Sequence, residues 1–200
     1  MIVKTPAIIC ANRAHGEHGA IVRAMTPELG LVAGYVRGAK SRTMRPVLIA
    51  ANEVMAEYRF RVEGQLPGMA VEPIKSRAPL FAEALAASAL EWVTALTASA
   101  LPEAHPYPAI YAALDGVVSA VEMAPSARRW AGAIGAYERL VMRSLGYGGE
   151  MQAMADDWNA VLATLQLNGV YLARHILADR KADILVARER MVARLKRAVA

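Results

Sequence analysis

Four cations stand within nine residues, Arg37, Lys40, Arg42 and Arg45, with Gly38, Ser41 and Thr43 between them and no acid in the stretch. Long cationic arms on a polar, glycine-containing segment suit phosphate groups, which need charge and reach but no base-specific geometry. Tyr35 stands two residues before Arg37, and Arg59 and Arg61 repeat the same spacing further on. On an extended chain such pairs share a face. Arg13 and Arg23 lie on the two preceding apolar runs and complete the candidate set. Cations combined with an aromatic platform are what sequence-tolerant binding of a single strand requires. Tyr58 and Phe60 alternate with the arginines, on the opposite face, and read as core.

Other chemistries fit less well. The segment Gly34-Tyr-Val-Arg-Gly38-Ala-Lys40-Ser41 is superficially a phosphate loop. A P-loop needs four residues between its glycines and a Lys directly after the second; here three intervene and Ala39 precedes Lys40. His15 and His18 lack the further ligands of a closed metal site, and Gly16 and Gly19 beside them read as turn residues. Cys10 is the only cysteine, which excludes a disulfide within the chain and a multi-cysteine zinc site. Its place on an apolar run marks a buried thiol rather than a nucleophile. No Gly-x-Ser-x-Gly elbow occurs. The expectation is therefore no catalytic residue, no metal and no cofactor.

The charge is unevenly distributed. Of 200 residues with a net charge of +5, the first 78 hold eleven Lys/Arg against six Asp/Glu, and the rest hold twelve of each. The whole excess thus sits in the first two-fifths of the chain, as expected of a polyanion-binding module joined to a neutral one. Lys4 and Pro6 interrupt the N-terminus where a signal peptide would need an apolar core. The longest uncharged run of the second half, residues 158–173, is too short to span a bilayer. These features predict a cytoplasmic protein with no membrane partner, and nucleoid-associated if its polyanion is DNA.

The elements that would position the cations follow from hydrophobic period. Residues 2–13, 20–26, 31–37, 47–61 and 69–76 read as strands, with Pro27 and Gly30 turning the second into the third. A turn at Glu63-Gly64-Gln65 joins the last two. Five strands without an intervening long helix predict a small barrel, and the OB-fold is the common five-stranded solution for nucleic-acid binders. Near residue 78 the period changes to that of a helix. Helices are predicted over 79–101, 107–123, 126–145, from Asp156 or Asp157 to about 177, and over 183–199. Trp130, Ile134, Tyr137, Val141 and Leu145 form one stripe of the third helix, which stops at Gly146-Tyr147-Gly148-Gly149. The chain is therefore expected to be α+β, with an OB-fold barrel at 1–78 and an all-α domain at 79–200. The basic residues of the last helix, Arg188 to Arg197, suit its dipole.

With these residues in view the chain resembles the RecO family of recombination mediators. Ala7-Ile8-Ile9, Arg13 and Gly16-Glu17 are similar to the family's opening strand; Thr26 to Gly30 resembles its turn. Val36-Arg37-Gly38-Ala39-Lys40-Ser41, followed by Arg45-Pro46, resembles its basic segment, and Tyr137-Glu138 through Leu145-Gly146-Tyr147-Gly148 its aromatic-Glu to Leu-Gly-Tyr helix. The resemblance implies an OB-fold and a helical domain. It further implies binding of single- and double-stranded DNA, annealing of complementary strands and help in loading RecA onto coated strands. The implied partners are RecR and the acidic C-terminal tail of the single-stranded DNA-binding protein, with RecA engaged indirectly. The chain departs from the pattern in three ways. The four-cysteine zinc module of many members is absent, with the region after Gly149 shortened. Gly135 and Ala136 stand where some members have paired arginines, leaving Arg128 and Arg129 as the nearest candidates for a partner's tail. Arg139 replaces a usual leucine.

The sequence thus predicts a non-enzymatic DNA repair protein. A general nucleic-acid-binding or RNA-binding OB protein with a helical docking domain remains the alternative. A hydrolase whose site is assembled from residues distant in sequence is a third reading.

Overall fold

The computed structural model describes residues 1–62, 64–124, 126–147, 157–178 and 183–198. Within them the chain forms two compact units. Residues Met1–Ala82 and Pro102–Ala112 make the first; Glu83–Leu101 and Ala113–Ala200 make the second.

The first unit contains the predicted barrel and, beyond the expected 1–78, also takes in Pro102–Ala112. Its strands are β1 (Ile2–His15), β2 (Gly19–Thr26), β3 (Gly30–Val36), β4 (Glu53–Arg59) and β5 (Gly68–Lys75). They close in the order β1-β2-β3-β5-β4, with β4 returning to pair with β1. All pairings are antiparallel except β3 with β5, where Tyr35 stands opposite Gly68 and its N–H donates to the Pro67 carbonyl at 2.8 Å. The interior is filled by small and branched residues, among them Ala7, Ile9, Val22, Val32, Val36 and Val54, together with the large ring of Tyr58. Gly34 faces Met69, and a Cβ on it would strike the Met69 side chain, so the β3–β5 seam closes tightly only with glycine there. The Cys10 thiol is buried in this unit, and desolvation pushes its pKa up to about 12, as befits an inert thiol. Tyr58 is enclosed as predicted, with Phe60 packed beside it. Burial raises the Tyr58 pKa, and its hydroxyl has no hydrogen-bond partner among the described residues.

The predicted fourth strand begins late. Residues 47–51 belong to a series of turns that starts at Arg37. Asn52 is responsible: its side-chain amide donates to the carbonyls of Pro46, at 2.7 Å, and Val47, at 3.1 Å. Ala51 beside it takes a left-handed φ of 66°. Side-chain to backbone bonds of this kind compete with a sheet ladder. The basic segment is accordingly wound rather than open. Ser41 N–H donates to Gly38, Arg45 N–H to Ser41 and Leu48 N–H to Met44. Ala39 and Leu48 are buried under it, while Arg37, Lys40, Arg42 and Arg45 stay exposed.

Among the described residues five α-helices follow: α1 (Ala84–Ala100), α2 (Pro108–Met123), α3 (Ala131–Ser144), α4 (Trp158–Tyr171) and α5 (Asp183–Arg197). Short 3-10 turns at Ala78–Ala82 and Ala127–Arg129 replace the first turns predicted for α1 and α3. The Asp157 carboxylate caps α4 by accepting from Ala160 N–H; Asp156 lies outside the described residues, as do Glu63, Gly148 and Gly149. No described helix is long and apolar enough to cross a membrane.

The helical unit is organised around a buried carboxylate. Glu138 of α3 is fully enclosed and meets Arg188 of α5 in a two-point pair, 2.8 Å from Nε to Oε1 and 3.0 Å from Nη2 to Oε2. Trp92 Nε1 of α1 donates to Oε1 at 2.8 Å, and Asn168 of α4 donates to Oε2 at 3.0 Å. Asn168 also donates to the Gly135 carbonyl, and Arg188 to that of Leu165. The guanidinium lies over the Trp92 ring, 5.7 Å from its centroid. The apolar stripe Trp130, Ile134, Tyr137 and Val141 is buried as predicted, and Tyr137 and Thr97 join their hydroxyls at 2.5 Å.

Removing one member of a buried, fully bonded ion pair strands the other. Glu138→Ala is therefore expected to lower the unfolding free energy by about 3–5 kcal/mol. Urea denaturation followed by far-ultraviolet circular dichroism is the check. A variant as stable as the parent would contradict the network's role.

Candidate nucleic-acid interface

The candidate site is built on β1, β3 and the strand ends. Inside the barrel, Ala7 and Ile9 of β1 point to the core. A bulge between Ile9 and Ala11 then shifts the register, so Ala11 pairs with Arg23, Arg13 with Ile21 and His15 with Gly19. A one-residue shift exchanges inward and outward positions. It therefore turns Arg13 and His15 to the outer face, where Ile21 and Tyr35 face each other across β2 and β3.

Tyr35 is seated by glycine. Its ring lies against Gly19, where any Cβ would overlap the phenol, and it meets His15 edge to face at 6.1 Å and 84°. Beside it opens a groove of about 820 Å³ lined by His15, Tyr35, Arg37, Arg59, Arg61 and Leu66, among others. The β1–β2 turn forms one lip, with Gly16, and the β4–β5 turn another, with Leu66. Gly64 at φ 76° and the bond from Gln65 N–H to Val62 O shape that second turn.

The structure thus brings the pair Tyr35 and Arg37 together with the pair Arg59 and Arg61, more than twenty residues further along the sequence. Lys40 joins the first lip through its Nζ, 3.0 Å from the Gly16 carbonyl. Arg42 and Arg45 remain exposed on the turns that follow, and Arg13 is exposed on β1. Among the described residues Glu57 is the acid tied to the groove, held to Arg59 at 2.8 Å. Three guanidiniums converging in one concavity, always charged, make a place suited to an anion. Arg23 is engaged elsewhere: its guanidinium reaches the Glu103 carboxylate at 2.6 Å, within the same unit.

Arg128 and Arg129 do not lie on α3 as expected but on the 3-10 turn before it, both exposed. Arg128 rests over the Trp158 ring, 5.5 Å from its centroid. Among the described residues no group of three or more His, Cys, Asp or Glu could hold a metal.

Sequence reasoning missed His15, Gly19 and Leu66. His15 and Gly19 invite a metal or a bare turn when read along the chain. Only the pairing of His15 with Gly19, and of Ile21 with Tyr35, shows them beneath one tyrosine. Leu66 lies in a turn with no signal of its own.

The barrel also has known relatives in sequence. Residues 1–77 match the family model "Recombination protein O N terminal". The DNA repair protein RecO of Phenylobacterium zucineum is 37% identical over 150 residues, and that of Caulobacter vibrioides is 35% identical over 150. Each alignment covers 74% of this chain and 60% of the relative. The RecO of Gluconacetobacter diazotrophicus is 32% identical over 155 residues, 76% of this chain and 61% of that protein. The chain spans about three-fifths of the length of the relatives it matches. Residues 1–77 thus carry the RecO N-terminal domain, and the likeness to RecO proteins runs well past it.

Proposed function

We propose that this chain is a DNA-binding and strand-annealing protein of recombination repair, with the barrel groove as its strand site. The observation that carries the reading is the convergence of Tyr35, Arg37, Arg59 and Arg61 in one groove between the β1–β2 and β4–β5 turns. Those turns and the strand face between them are where OB-folds hold oligonucleotides. Arg37, Arg59 and Arg61 would meet phosphates within the groove. Lys40, Arg42 and Arg45 would extend the phosphate track past its lip, and Arg13 would widen it along β1. Tyr35 would offer a face to a base. Arg23, occupied by Glu103, is assigned no strand contact.

Annealing by such a surface is electrostatic. Cations displace condensed counterions, hold two strands near each other and lower their repulsion. No bond is made or broken, so the proposed activity is not enzymatic and needs no metal. Single- and double-stranded DNA are both ligands, because phosphate contacts do not distinguish sequence. The names of the relatives, DNA repair proteins, support the same setting.

Help in loading RecA onto coated strands, through RecR and the acidic tail of the single-stranded DNA-binding protein, completes the proposal. For the tail, the exposed pair Arg128 and Arg129 offers guanidiniums able to take carboxylates in a two-point grip. Arg128 is already held in place by Trp158.

Changing Arg37, Lys40 and Arg42 together to Ala is expected to weaken oligothymidylate binding at low salt. It should also flatten the dependence of log affinity on log salt by about 0.7 for each phosphate no longer neutralised. Fluorescence anisotropy across a salt series measures both, and an unchanged slope in the folded variant would refute the phosphate track. For the tail, Arg128→Glu with Arg129→Glu is expected to abolish binding of an acidic tail peptide to the whole chain in calorimetry. Undiminished binding by that variant would place the tail elsewhere.

A further inference from the structure

A second cluster on the helical unit is not used by this reading. At the end of α3, Leu145 is followed by Gly146 at φ 83°. Gly146 N–H donates to Arg143 O at 3.0 Å, and Tyr147 N–H to Met142 O at 2.9 Å. This is the paired bond pattern by which a glycine ends a helix and fixes the residue after it. It delivers Tyr147 beside the end of α4. There the helix loosens into a π-turn over Leu172–Ile176, with Leu177 N–H bonded to Leu172 O at 2.8 Å. Such turns are uncommon and often accompany function.

The two ends together build a file of three rings. His175 lies between Tyr147, at 5.8 Å and 26°, and Tyr171, at 5.9 Å and 29°. The rings are near parallel, and both tyrosines are about half exposed, 47% and 48%. Rings that served only the core would be covered. The two stretches that carry the rings are basic. From Arg139 to Tyr147, and from Trp158 to Leu177, the chain contains no acid, while Arg139, Arg143 and Arg174 supply cations. Arg143 stands one helical turn before Tyr147, and Arg174 is next to His175 and exposed. The unit as a whole holds twelve Lys/Arg against eleven Asp/Glu, so these acid-free stretches are a local feature of the sequence.

We propose that Tyr147, His175 and Tyr171 form a stacking platform for the bases of a single strand, with Arg143 and Arg174 taking its phosphates. Every base has a π-face, so the platform would be tolerant of sequence. The proposal rests on the reading of the chain as a nucleic-acid-binding protein. It adds a second strand site outside the barrel, as a protein that brings two strands together needs.

The test uses the full chain and an oligothymidylate carrying 5-iodouracil, irradiated and mapped by mass spectrometry. Adducts on Tyr147, Tyr171 or His175, in addition to Tyr35, are expected. Adducts on Tyr35 alone would overturn the platform and leave the groove intact. Adducts at neither place would overturn both. A parallel measurement compares oligothymidylate with an abasic oligomer of the same length. Tyr147→Ala with Tyr171→Ala should weaken binding of the base-bearing strand about tenfold, the size of one stacking interaction, and leave the abasic strand unaffected. Changing both tyrosines to Phe should restore binding. Equal losses for the two strands, or no loss for either, would overturn it.

Discussion

The barrel closes where β3 meets β5, with Tyr35 opposite Gly68, and the groove beside Tyr35 exists because of that closure. Parallel neighbours cannot be joined by a tight turn. The chain between them must therefore leave, wind through the basic turns after Arg37, run back along β4 and return. That detour brings Arg37 at the end of β3 into one groove with Arg59 and Arg61 at the end of β4. Gly34 permits the close approach by leaving room for Met69, and Gly19 leaves room for the Tyr35 ring on the outer side. Two missing side chains thus set where the aromatic platform sits and how near the cations come to it.

The two units treat charge in opposite ways. In the barrel, cations of the basic segment stay exposed, their charge available to an external anion. In the helical unit, Arg188 is taken inside and matched to Glu138, with Trp92 and Asn168 completing the carboxylate's bonds. A buried pair gains little net stability over apolar packing, but a broken one is costly. Its consequence is geometric: α1, α3, α4 and α5 each supply one member, so a helix displaced in register would leave a buried charge unmatched. Gly169 shows how tight the fit is, since a Cβ there would strike the Arg188 guanidinium.

Strand order and helix order are legible in the sequence because period and turn residues are clear. Pro27 and Gly30 mark the β2–β3 turn, and Gly30 does take a φ of 70°. The excess of charge in the first 78 residues points to the barrel by arithmetic alone. What is not legible comes from single side chains acting at a distance. Asn52 bends the chain by bonding backward to Pro46 and Val47, which hides the late start of β4 behind an apolar run. The bulge at Ile9 and Ala11 has no composition of its own, yet it decides that Arg13 and His15 face outward. Arg188 reads as a dipole-complementing cation on a basic helix; only its burial beside Glu138 distinguishes it from Arg190 and Arg194. Arg23, equally basic, is drawn away from the groove by Glu103, eighty residues on.

The central claim is that the strand lies in the groove between the two turns of the barrel. Hydrogen–deuterium exchange of the full chain, with and without saturating oligothymidylate, reads this directly. Slower exchange is expected in the β1–β2 turn around Gly16, in the basic turns from Arg37 to Arg45 and in the β4–β5 turn around Leu66. Protection confined to the β2–β3 turn around Pro27, at the other end of β2 from the β1–β2 turn, or no protection in the barrel at saturation, would contradict the account.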